Sequence, residues 1–332
     1  MSQSRIIVTS YSNPDLDGTA SAIAYSELLK KQGKNAKVAL FGTPHREAQF
    51  VFKTFDIDKP AQAENILNQE GKLILVDASD LRGISNLIDP KQVIEVIDHR
   101  KVNQSDKFPN AKIQIELVGS CATLIAEKFF KEKIIITSSS AVLLYSAIIS
   151  NTVNLQANVT TDRDKKMCNW LVKQFDLPKN YVHKMFVAKS VFGKPLKEVF
   201  CDDFATFQFH SKQLGIAQLE IVNTDGFVNK NKDEIQKVLT KIKKERNIDL
   251  IFLSLIDIEK IKNTFMIIDE SSKKLLEQAL SVKFKNNISH KNGIIMRKTI
   301  VTIVTAKQKR MFCNPDFTIK SGNGISDESQ PV

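Results

Sequence analysis

The chain has 332 residues, more than one compact core usually fills, so two units of ordinary size are expected. Hydrophobic residues make up 42% and charged residues 26%, which excludes a globally disordered chain, and no uncharged apolar run approaches the roughly 18 residues that cross a bilayer. The net charge is +11, with 24 Lys and Arg against 20 Asp and Glu up to residue 188 and 24 against 17 after it; much of the later excess is Lys on helix-like faces such as 231–246, which reads as solvated surface before it reads as a nucleic-acid patch.

Residues 1–5 lead into a strand-like run over 5–11, not into a signal peptide. Cys121, Cys168, Cys201 and Cys313 lie far apart with no C-x-x-C pair, so neither a zinc ribbon nor a disulfide framework is indicated. A cytoplasmic location is expected. After the first run, apolar residues at 20, 23, 24, 28 and 29 recur at helical spacing, so a strand passes through a tight turn into a helix. Runs over 72–76 and 93–97 read as buried strands, each followed by an acid, Asp77 and Asp98. Helical patterns follow over 122–130, 139–150 and 161–175, and 186–195 reads as the passage to another domain. Strands are expected over 204–210, 215–222, 249–255 and 264–268, helices over 231–246 and 271–280, and a β-branched run over 294–304 that carries Met296-Arg297-Lys298. The end from 321 is polar and expected to fray. Alternating strands and helices imply an α/β fold with a doubly wound, mainly parallel sheet and a second, smaller α/β domain. The expected division is 1–188, 189–312 and a flexible tail over 313–332.

The chemistry starts at Asn13-Pro14-Asp15-Leu16-Asp17-Gly18, between the first strand and the first helix. Ligands of open parallel sheets bind outside the carboxyl ends of the strands, and two carboxylates two residues apart suit a hard divalent cation there. By themselves, Asp15 and Asp17 are equally readable as turn formers and helix caps. Asp77 and the Asp98-His99 pair also follow strand ends, so three strands deliver acid or imidazole groups to one sheet edge. Such like charges repel unless a cation neutralises them, so a metal or phosphate site is favoured. Glu116 and the segment 118–123 (V-G-S-C-A-T) begin a helix whose first amides either hold a phosphate or simply start a helix. His45, His183, His210 and His290 have no partners at ligand spacing, and the 20 Phe residues are scattered as core residues would be.

In this order, N-P-D-x-D-G, V-D at Asp77, D-H-R at 98–100, V-G-S-C-A-T and 146–152 (S-A-I-I-S-N-T) resemble the DHH phosphoesterase superfamily. Met296-Arg297-Lys298 stands where the branch with manganese-dependent (family II) inorganic pyrophosphatases and exopolyphosphatases, marked by a C-terminal DHHA2-type domain, carries S-R-K-K. The resemblance runs from about residue 5 to 306. It implies a hydrolase of phosphoanhydride bonds, in pyrophosphate or polyphosphate, that uses Mn²⁺ or Mg²⁺ and a metal-activated water. Asp15, Asp17, Asp77 and His99 would be metal ligands and catalytic groups, with Asp77 placed to bridge two ions and Asn151 as a further oxygen donor. Arg100, Arg297 and Lys298 would bind the substrate phosphates. The partner is a small phosphate-bearing substrate, with nucleic acid entering only as a short oligonucleotide, and a homodimer is compatible with the pattern. Four departures stand beside the matches: Tyr11 replaces a His, Arg100 the second His of D-H-H, Asn151 an Asp, and Ala205 a Lys. D-H-R also occurs in prune-like exopolyphosphatases and nucleotide phosphodiesterases. The changes open two alternatives, a phosphodiesterase of short nucleotides and a degenerate member that binds phosphate or metal in a regulatory role without turnover.

Overall fold

The computed structural model describes residues 5–67, 71–81, 83–101, 103–209 and 212–312. The expected tail over 313–332, Cys313 and His210 lie outside them.

The first sheet is built from β1 (Ile6–Thr9), β2 (Ala36–Leu40), β3 (Ala61–Gln62), β4 (Lys72–Val76), β5 (Val93–Asp98) and β6 (Lys112–Ile115), all parallel and in the order β3-β2-β1-β4-β5-β6. Both faces are buried, which explains the unbroken apolar strands. Val8, Ile74, Val76 and Ile97 face one core with α1 (Leu16–Lys31), α3 (Cys121–Glu132), α4 (Ser138–Asn151) and α5 (Asp162–Leu171). Ile7, Leu73, Leu75 and Val96 face a second core. Two further helices, α2 (Arg46–Thr54) and α6 (Tyr181–Lys189), pack together, with Phe50 stacked on Tyr181. The helix starts carry their own caps: Asp15 accepts from Gly18 N–H, Ser120 from Ala122 N–H, and Thr161 and Asp164 form a reciprocal capping box.

The second sheet has the order β11-β10-β9-β8-β7, from β7 (Phe204–Phe209), β8 (Lys212–Ile221), β9 (Leu250–Asp257), β10 (Lys262–Ile267) and β11 (Ile288–Asn292). Only β8 and β9 are parallel, joined over α8 (Thr224–Glu245). With α7 (Leu196–Asp202), α8 covers one face, where Leu219, Leu253 and Met266 lie. The other face, with Ile216, Phe252 and Phe265, is covered by α9 (Glu270–Leu280) and α10 (Arg297–Phe312). All eight residues of β9 are buried.

Here one expectation is corrected. The run over 294–304 is not a strand: from Arg297 on it is the helix α10. Its β-branched composition favours a strand, but Ile300 and Val304, one helical turn apart, are both buried against Leu275, Leu276 and Ala279 of α9, and that packing overrides local preference.

The two sheets are tied together by apolar and ionic contacts. Ile256, Ile258 and Ile294 belong to the first unit's core. Lys189, at the end of α6, bonds Glu220 of β8 at 3.1 Å and the Ser150 hydroxyl at 3.3 Å, and lies 3.7 Å from the buried Glu47 of α2. Ser150 donates to both Glu47 carboxylate oxygens, at 2.8 and 3.0 Å.

Candidate metal centre

In this strand order the crossover direction reverses between β1 and β4, and the crevice beyond their carboxyl ends is where such sheets bind ligands. Asp17 from the first turn of α1, Asp77 from the end of β4 and His99 from the end of β5 meet there, each with a ligand atom within 4.8 Å of the others. His99 Nε2 lies 3.4 Å from Asp77 Oδ1 and 3.7 Å from Asp17 Oδ2.

Each of the three is fixed from behind. Asp17 is fully buried, and its Oδ1 accepts from the Ser120 hydroxyl and the Ala122 N–H, both at 2.8 Å. Its Oδ2 accepts from the Cys121 N–H at 2.8 Å and from Asn151 Nδ2 at 2.6 Å. The first amides of α3, readable in the sequence as a phosphate cradle, therefore hold a protein carboxylate, at the helix end where negative charge is favoured. Asn151 reaches the site as a hydrogen-bond donor to Asp17. Asp77 sits in the left-handed region (φ 53°), one of the sparsely populated conformations that recur at functional sites, and its N–H donates to the Ile97 carbonyl at 2.8 Å. His99 Nδ1 meets the Val118 carbonyl at 3.0 Å, and donation there leaves Nε2, on the carboxylate side, as the nitrogen that gives up its proton and offers a lone pair to an ion.

The remaining predicted residues divide. Asp15 stands at the rim as the cap of α1; its N–H donates to the Tyr11 phenol oxygen at 2.9 Å. Arg100 is at the centre, with its guanidinium on Asp77: Nη2 donates to the Asp77 carbonyl oxygen and, at 3.2 Å, to Oδ1. The guanidinium also lies over the Tyr11 ring, 5.5 Å from its centroid. Arg297 and Lys298 open α10 on the second sheet; Arg297 bonds Asp203 through its side chain and Gln218 through its N–H, and Lys298 is exposed. Glu116 pairs with Arg163 at 2.7 Å. His183 bonds Glu259 and His290 bonds Thr264, so neither enters the site.

Three supporting roles escape sequence reading. Asp98 is a scaffold: it accepts from the Ser79 hydroxyl and from the N–H groups of His99 (2.6 Å) and Arg100 (3.2 Å), shaping the turn that presents both side chains. Ser120 completes the cradle of Asp17. Asp164, fully buried in α5, accepts from the Gly119 N–H at 3.0 and 3.1 Å, from Thr123 at 2.5 Å, and from the Thr161 N–H and hydroxyl at 2.7 Å each. It fixes the loop whose neighbouring atoms, Val118 O and the Ser120 hydroxyl, hold His99 and Asp17. The one sequence signal for Asp164 is the T-x-x-D capping pattern at 161–164.

The cluster holds protons when no ion is bound. Burial, reinforced by the Asp77 charge and partly offset by His99, pushes the Asp17 carboxyl up to about 7. Burial also raises Asp77, against the pull of its hydrogen bond with His99. For His99 burial works downward, but the hydrogen bond to Asp77 and the charges of both carboxylates lift it to about 10. Burial raises the Tyr11 phenol, as do Asp15 and Asp77, so it stays neutral. Two carboxylates and one imidazole, with the imidazole acting as stand-in cation, are a donor set that fits a divalent ion such as Mn²⁺ or Mg²⁺.

Comparison with known proteins adds two family matches: the DHH family, N-terminal domain, over residues 5–148, and the DHHA2 domain over 183–306. A "Probable manganese-dependent inorganic pyrophosphatase" of Clostridium acetobutylicum is 32% identical over 88% of this chain and 94% of its own length. A Bacillus cereus protein of the same description is 29% identical over 91% of this chain and 98% of its own. Among solved structures, the Methanococcus jannaschii "putative family II inorganic pyrophosphatase" superposes with a TM-score of 0.68 at 30% identity, covering 92% of this chain and 99% of that one. Among the described residues, no helix is long and apolar enough to cross a membrane.

Proposed function

We propose that this chain, which belongs to the DHH family and carries a DHHA2 domain, is a manganese- or magnesium-dependent phosphohydrolase that splits the phosphoanhydride bond of inorganic pyrophosphate or a short polyphosphate with water. The observation that carries the reading is the meeting of Asp17, Asp77 and His99 at the carboxyl edge of the first sheet. The relatives' descriptions support the substrate class.

Asp17, Asp77 and His99 would hold the ion. When bound, it supplies Lewis acidity and makes water a usable nucleophile at neutral pH. The chain's own groups do the rest. The α3 amides keep Asp17 oriented, and the Val118 carbonyl keeps Nε2 of His99 aimed inward. Arg297 and Lys298, the first two residues of α10, would take the substrate phosphates, with Arg297 exchanging Asp203 for phosphate oxygen. Division into a metal-holding part up to residue 188 and a basic lid from 189 belongs to this proposal.

A second reading, a phosphate or metal binder without turnover, is favoured by one observation: Asp77 already carries the Arg100 guanidinium. Phosphate release separates the two. Wild type and Asp77→Ala are given pyrophosphate, tripolyphosphate, long polyphosphate and short oligonucleotides with Mn²⁺ or Mg²⁺. The proposal expects turnover of pyrophosphate or tripolyphosphate by wild type and a loss on the order of a hundredfold or more in Asp77→Ala. No turnover, or equal rates in both proteins, refutes it; cleavage confined to oligonucleotides makes the protein a phosphodiesterase.

A further inference from the structure

We infer that the centre takes one divalent cation per chain, and that Arg100 is what keeps a second from binding against Asp77. The inference rests on the metal-dependent reading above and concerns which sides of Asp77 are open.

Oδ1 of Asp77 has two neighbours. On one side is His99 Nε2 at 3.4 Å, next to Asp17. The second neighbour of Oδ1 is Arg100 Nη2 at 3.2 Å, and the same nitrogen also bonds the Asp77 main-chain oxygen. A group that takes a side-chain and a main-chain oxygen of one residue is clamped, and three further contacts clamp Arg100 more firmly. Its Nε lies 3.6 Å from Asp98 Oδ1, its own N–H bonds that same oxygen, and the Tyr11 ring lies under the guanidinium. A planar, permanently charged fork held on an oxygen acceptor and stacked on a ring is in the geometry arginine favours.

Tyr11, whose ring lies under the guanidinium, also meets Asp15. Asp15 Oδ1 accepts from Gly18 N–H, the Tyr11 oxygen accepts from Asp15 N–H, and Tyr11 offers a neutral phenol where an imidazole could have been a ligand. A divalent ion placed against Asp77 on the Arg100 side would meet a fixed positive charge on the same carboxylate oxygen. The flank toward Asp17 and His99 is different: there the three donors converge. One face of Asp77 is a metal seat, and the other holds a tethered cation.

Counting bound ions tests this without relying on activity. Wild type, Tyr11→His and the double variant Tyr11→His/Arg100→Gln are dialysed against Mn²⁺, free ion is measured by electron paramagnetic resonance, and the bound signal is inspected for spin–spin coupling between neighbouring ions. The expected counts are one for wild type, one for Tyr11→His and two, with coupling, for the double variant, each shown to be folded by circular dichroism. Two ions in wild type or in Tyr11→His overturn the inference, as does a folded double variant that still binds one. If the double variant does not fold, the counts for the other two proteins decide. A wild-type count of zero removes the metal-dependent reading itself and this inference with it, whereas a count of two removes this inference alone.

Discussion

Replacing Asp164 should loosen the metal centre from the rear. In Asp164→Ala the N–H groups of Gly119 and Thr161 both lose their acceptor. Each buried unsatisfied donor costs about 1–3 kcal/mol, so a loss of about 2–6 kcal/mol is expected. At roughly 2–4 °C per kcal/mol for a unit of this size, the melting temperature should fall by about 5–20 °C. Asp164→Asn should be much milder. Its carbonyl oxygen can occupy the Oδ2 position and keep Gly119 and Thr161, while the amide nitrogen faces Thr123, whose hydroxyl can turn to accept. What remains is the loss of charge assistance, about 1–2 kcal/mol. Since Gly119 lies between Val118 and Ser120, the Ala variant should also misplace His99 and Asp17 and weaken Mn²⁺ binding by about 10–100-fold, as losses of outer partners commonly do. Differential scanning calorimetry gives the first number and Mn²⁺ titration the second. The reasoning fails if Asp164→Ala melts within about 2 °C of wild type, or if it binds Mn²⁺ as tightly.

Three predictions concern charge. Ligands must be deprotonated to bind an ion, and His99 and Asp17 keep their protons up to about 10 and about 7, so Mn²⁺ affinity should rise with pH across that range and binding at pH 8 should release about one proton per ion; calorimetry in buffers of different ionisation enthalpy counts it, and zero release contradicts the assignment. The sign is opposite for stability of the ion-free chain: both groups hold protons more tightly folded than unfolded, so their contribution is complete at low pH, is lost for Asp17 as pH rises from about 4 to 7 and for His99 from about 6.5 to 10. Lys189→Met should leave Glu47, which burial already raises, without its cation and destabilise by about 3–5 kcal/mol at pH 8; because Glu47 can then protonate, melting at pH 5 should show a smaller deficit, and an equal deficit at both pH values counts against a buried ionic tie.

Much of the centre was legible because parallel strands fix geometry cheaply in sequence terms. Every strand of a doubly wound sheet ends on the same edge, so Asp77 and His99, each just after an apolar run, fall beside the turn at 15–17 with no knowledge of side-chain packing. What could not be read depends on pairings between distant segments. The seat of Asp17 on α3 joins residues 103 to 105 apart, and its bond from Asn151 spans 134. The contact of Arg100 with Asp77 is made at a left-handed turn and beside the ring of Tyr11, neither of which a motif states. The α10 helix was hidden for a related reason. Local composition favoured extended chain, and the deciding contact, Ile300 and Val304 on α9, comes from a neighbour that only the folded second sheet supplies.

The seat of Asp17 also says something about the order in which the protein comes into being. Its carboxylate is positioned by amides at 121 and 122 and by an amide group at 151. During synthesis the first strand and α1 are exposed long before those partners emerge, and contacts of such sequence separation close late. Until then the Asp17 carboxylate lacks the amides that orient it, although Asp77 and His99 are already in the chain. A nascent chain thus has no competent seat through the first third of its synthesis, and loading belongs to the completed N-terminal half. Fragments ending before residue 120 carry Asp17, Asp77 and His99 but not the seat of Asp17, and should bind Mn²⁺ more weakly than the whole chain.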